Sequence, residues 1–65
     1  MKKEKLKELE KNNLIEEINQ LKLDLSGSYE NLNLAKEADL LDYYAYKIKS
    51  QEAMYKYLLD EFKKL

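Results

Sequence analysis

The chain contains no cysteine, no histidine, no proline, no arginine, no tryptophan and no valine, and its single glycine is Gly27. Without cysteine there is no disulfide to staple the fold and no thiolate for catalysis or metal binding. Without histidine, the common zinc ligand and the common neutral-pH base are both missing. Without proline, nothing forces a helix to stop or kink. Twelve lysines face 13 carboxylates for a net charge of −1, so the arginine-containing basic excess typical of nucleic-acid binders is absent. No apolar run approaches the roughly 18 residues of a membrane span, and no apolar core of a secretory signal follows the lysine-bearing opening MKKEKLKELEKNN. These absences predict a cytoplasmic protein with no membrane span, no metal or cofactor site and no enzymatic activity.

What remains is helix-forming material. Leu, Lys, Glu and Ala dominate, and the only β-branched residues are three isoleucines. At 65 residues the chain makes one small domain. A domain this short with no staple relies on well-packed helices or on association with another copy.

The apolar residues fall on two heptad-like seams. The first is Leu14, Ile18, Leu21, Leu25, Ser28, Leu32 and Ala35, with steps alternating between four and three. It passes through DLSGSYEN without a change of phase. A turn at Gly27 would have no reason to preserve the phase on both sides, so this stretch reads as helix interior, although its Ser-Gly-Ser composition is common in loops. The second seam is Leu41, Tyr44, Ile48, Gln51, Tyr55, Leu58, Phe62 and Leu65. Between the seams, Asp39 is a good N-cap and Asp42 stands in the capping-box position, so the turn is expected near Lys36 to Ala38. The expected architecture is an all-α, antiparallel two-helix hairpin spanning residues 1–65 as a single domain. Helix one covers about 3–36, the turn about 36–39 and helix two about 40–64. Facing residues then sum to about 76, and Ser28 and Gln51, the two polar seam positions, lie in adjacent layers. They are either a polar layer that fixes register or a wet point in the seam.

One mutual face does not use all the apolar residues. Tyr43, Tyr46, Ser50, Ala53 or Met54, and Tyr57 form a second stripe on helix two, and six tyrosines in 65 residues is a high content. Tyrosine offers large contact area with a polar tip, and exposed apolar stripes mark contact surfaces. Tyr43, Tyr46, Met54 and Tyr57 are therefore the candidate interaction face. The expected occupant is a second copy, giving a dimeric four-helix bundle; an unidentified protein partner and a marginal monomer with snorkelling tyrosines are the other readings. A single long open helix exchanging partners with its copy uses the same seams.

Charge is uneven along the chain. Residues 1–11 carry five lysines and three glutamates, residues 56–65 three lysines and two acids, and residues 12–55 four lysines and eight acids. A hairpin of this sequence has a mildly basic open end and an acidic turn end. Lys2, Lys3, Lys5 and Lys7 are the candidates for nucleic-acid contact, a partner class the overall charge disfavours.

Two family likenesses appear. Ser50-Gln51-Glu52 resembles the start of the Ser-Gln-Glu-Leu-Asp signature of small sporulation-type aspartyl-phosphate phosphatases. Ala53 and Met54 replace its Leu and functional Asp, so the residue that carries that chemistry is missing. More extensively, Asp39-Leu40-Leu41-Asp42, the tyrosine-rich run from Tyr43 to Ile48, Gln51 to Ala53, and Tyr55 to Leu59 resemble the YaaL family, short uncharacterised proteins of Firmicutes. The likeness covers roughly residues 14–65 and not the N-terminal dozen. It implies no activity. Gene neighbourhood in that family implies an accessory role in DNA recombination, repair or sporulation, by docking on a protein or nucleic acid.

Overall fold

A computed structural model describes residues 2–65, with side chains from residue 4 onward. Two helices account for nearly all of it: α1, Lys2–Leu34, and α2, Ala38–Lys63. They pack against one another over much of their length, and a three-residue connection, 35–37, reverses the chain. This is the expected all-α hairpin.

α1 runs unbroken for 33 residues, through Gly27, which has no positive φ. The heptad phase explains this. Burial of Ile18 and Ser28, with Leu21 and Leu25 half-buried between them, holds the helix on both sides of the glycine. Its low helix propensity, about 1 kcal/mol below alanine, is too small to break that packing.

The connection differs from the capping expectation. α2 begins at Ala38, its N-cap is Glu37 in an extended conformation, and no side chain makes a cap hydrogen bond. The Leu41 amide donates to the Glu37 carbonyl at 3.0 Å, so the first helical turn closes two residues earlier than an Asp39 cap would place it. Asp39 lies inside the first turn, where its carboxylate favours the positive end of the helix dipole without capping it. α1 ends on a shared bond, with the Ala35 amide donating to both Asn31 and Leu32 carbonyls. Ala35 therefore lies in the connection, half-buried, rather than in α1. Leu41, the first residue of the second seam, is 38% exposed.

The molecule is a rod of 55 × 15 × 11 Å with a radius of gyration of 15.6 Å. A compact domain of this length has a radius of about 11 Å. A rod two helices wide has little interior: among the described residues the buried apolar ones are Ile18, Ile48 and Leu58, and the buried polar one is Ser28. Leu14, Leu21, Leu25, Leu32, Tyr44, Tyr55 and Phe62 line the seam around them and are half-buried.

Candidate functional site

The two flanks of the seam are built differently. On one, Lys11, Lys22 and Tyr29 form a single row of α1, spaced 11 and 7 residues apart, and each reaches across to α2. The Lys11 ammonium lies 5.9 Å from the centre of the Phe62 ring, and that of Lys22 lies 6.0 Å from Tyr55. Their aliphatic stems cover the edge of the seam while the charges face the rings. The Tyr29 hydroxyl donates to the Glu52 carboxylate. This bond holds the phenol proton and raises the Tyr29 pKa above the ordinary tyrosine value, helped by burial and by the Glu52 charge.

At mid-length the buried polar position is satisfied. Ser28 is 2% exposed, and its hydroxyl lies 2.8 Å from Gln51 Oε1 and 3.1 Å from the Asp24 carbonyl oxygen. The hydroxyl has one proton. It serves both neighbours at once only with the Gln51 carboxamide turned, so that Nε2 donates to Oγ while Oγ donates to Asp24. Either way, the two polar seam residues, which the spacing put in adjacent layers, join the helices through a direct hydrogen bond.

The opposite flank is open. Glu10, Asn13, Leu14 and Glu17 of α1 face Tyr57, Leu58, Glu61 and Leu65 of α2 across a groove of about 330 Å³. Its floor is leucine and its rims are carboxylates. The ion pair on this flank is Lys64 Nζ to Glu61 Oε1 at 3.1 Å, which also raises the Lys64 pKa. The α2 rim continues toward the turn as the tyrosine stripe. Tyr43 is 54% exposed, Tyr46 75%, Met54 51% and Tyr57 57%. Tyr43 and Tyr44 meet edge to face with centroids 4.9 Å apart, and the Lys47 ammonium lies 5.8 Å from the centre of the Tyr43 ring, so Tyr43 is braced by its own helix.

The structure thus brings Tyr57 into the groove and strings Met54, Tyr46 and Tyr43 along the same side of α2. Sequence spacing identified the stripe but not the groove, because a groove depends on which side of α1 lies beside it. The missed signal is the row Leu6, Glu10, Asn13, Glu17, a four-three-four repeat that borders the first seam. Of the candidate nucleic-acid lysines, Lys5 and Lys7 are exposed on α1 beyond the end of α2, and the side chains of Lys2 and Lys3 lie outside the described ones. Among the described residues no three metal-ligating side chains gather, and no helix is long and apolar enough to cross a membrane.

A family of proteins of unknown function, DUF2508, matches this chain over residues 1–65. The chain belongs to that family. The match takes in the N-terminal dozen residues, for which the sequence alone offered no likeness, so the overhanging start of α1 is part of the family pattern. No curated protein and no solved structure matches the chain.

Proposed function

We propose that this hairpin is a non-enzymatic interaction module that self-associates through the face carrying Tyr43, Tyr46, Met54 and Tyr57. The observation that carries the reading is the imbalance of apolar surface. Among the described residues three apolar side chains are buried, while twelve large ones are exposed, four of them on this one stripe. Exposed apolar side chains gathered on one helix face are characteristic of interfaces rather than of free monomer surfaces. Association would also supply the burial that a two-helix chain cannot provide for itself. The YaaL-like segments from Asp39 to Leu59 contain the stripe, which suits a role in which this face is the working part.

Sedimentation equilibrium on the native chain and on Tyr46→Lys/Tyr57→Lys tests the proposal. The native chain is expected to exceed its 7.8 kDa monomer mass, and the double variant to fall to it. A native chain that stays monomeric at the highest accessible concentration would refute self-association and leave the stripe as a docking face for a different protein.

A further inference from the structure

Eight residues of α1, 2–9, run past the end of α2, and Glu10 is the first to face it across the groove. This overhang is about 12 Å long. It is helical, yet no part of α2 covers it: Leu6 is 58% exposed and Leu9 56%. Eight residues have little helix stability of their own, so the overhang is a helical end with an apolar side and nothing packed on it. Its charge is basic, with Lys2, Lys3, Lys5 and Lys7 against Glu4 and Glu8. The groove beside it has the opposite character, an apolar floor between the carboxylates of Glu10 and Glu17 and that of Glu61, which Lys64 already pairs.

We propose that the groove receives the N-terminal overhang of a second copy, reciprocally, so that two hairpins join open end to open end about a two-fold axis. This rests on the self-association proposed above but moves the contact to the groove and Tyr57, leaving Tyr43 and Tyr46 uncovered toward the turn end. Three observations converge. The row Leu6, Glu10, Asn13, Glu17 makes the overhang and the α1 wall of the groove one continuous surface, so a two-fold operation sets each overhang against the other chain's wall. Leu6 and Leu9 supply the apolar side that Leu14, Leu58 and Leu65 can cover. Charge selects the pairing: overhang against overhang would juxtapose two basic segments, whereas overhang in groove sets lysines against glutamates. The arrangement is isologous and closes at two copies.

Charge exchange in the full-length chain tests this. One variant is Lys5→Glu/Lys7→Glu and the other Glu10→Lys/Glu17→Lys. All four positions are exposed helix surface, and lysine and glutamate have similar helix propensities, so each variant keeps its helicity by circular dichroism. In each variant alone, overhang and groove carry the same sign, and the dimer is expected to weaken about tenfold or more by sedimentation, as summed small exposed pairs predict. An equimolar mixture restores opposite signs in both grooves and is expected to recover the native dissociation constant. The proposal is overturned if either variant alone retains native affinity, or if the mixture fails to recover it. Tyr46→Lys separates this result from the reading it rests on, because Tyr46 lies on the stripe outside the groove. If Tyr46→Lys dissociates the dimer while the charge variants do not, the overhang is wrong and the stripe stands. A monomeric native chain overturns both.

Discussion

Gly27→Ala should stabilise the protein, by an amount that follows from three facts. The position is interior to a 33-residue helix. Its φ is not positive, so an L-residue adopts the backbone without strain. A Cβ built there meets no heavy atom within 4 Å, so no neighbour has to move. What remains is the propensity difference, about 0.8–1 kcal/mol in favour of alanine. For a domain of this size, that raises the melting temperature by about 4–8 °C. The assay is a circular-dichroism melt of native and variant chains at matched concentration, since the proposed association would couple stability to concentration. It is repeated across a dilution series. A melting temperature that is unchanged or lower in the variant at every concentration would refute the reasoning about α1. A rise at low concentration that reverses at high concentration would place Gly27 against a second copy, where the added methyl obstructs close approach.

The Ser28–Gln51 layer is expected to behave as a coupled pair. In a double-mutant cycle of Ser28→Ala and Gln51→Leu, denaturant melts should give a coupling of about 1 kcal/mol, the scale of one part-buried hydrogen bond. Strictly additive effects would mean that the contact has no energetic weight. Tyr29 should ionise above the ordinary tyrosine range, because Glu52 holds its proton. Its folded pKa is raised, so its contribution to stability is complete below the ordinary tyrosine value near 10 and is lost as pH climbs through the raised one. A tyrosinate absorbance titration should resolve this late step, and Glu52→Gln should abolish it; a single step for all six in the native chain would contradict the Tyr29–Glu52 bond.

Periodicity carried most of the fold. Two seams in different phases, separated by a short interruption, are enough to specify two helices and their antiparallel contact. The phase also settled Gly27, where local composition pointed the other way. The turn was legible only approximately. Asp39 has the residue type and spacing of a cap, but capping contributes about 1 kcal/mol. That is small beside the packing of Tyr44 and Ile48, which sets where α2 lies and lets the helix begin at Ala38 with an uncapped Glu37. The candidate face was half legible. An apolar stripe is a property of one helix and can be read from spacing, whereas the groove and the latches on the other flank are relations between helices. Lys11 over Phe62, Lys22 over Tyr55 and Tyr29 on Glu52 depend on the hand of the hairpin. Heptad arithmetic does not encode that hand, since it pairs layers without saying which flank is left or right.

A rod 11 Å thick has no residue more than one side chain from water. On the self-association proposed above, with three apolar side chains buried among the described residues, folding and assembly would merge into a single event. Dilution would then act as a denaturant, and the number of copies present would set how much of the chain has a defined shape. A small change in synthesis or removal rate would translate into a steeper change in the folded, associated form, a threshold response that needs no ligand, modification or switch residue.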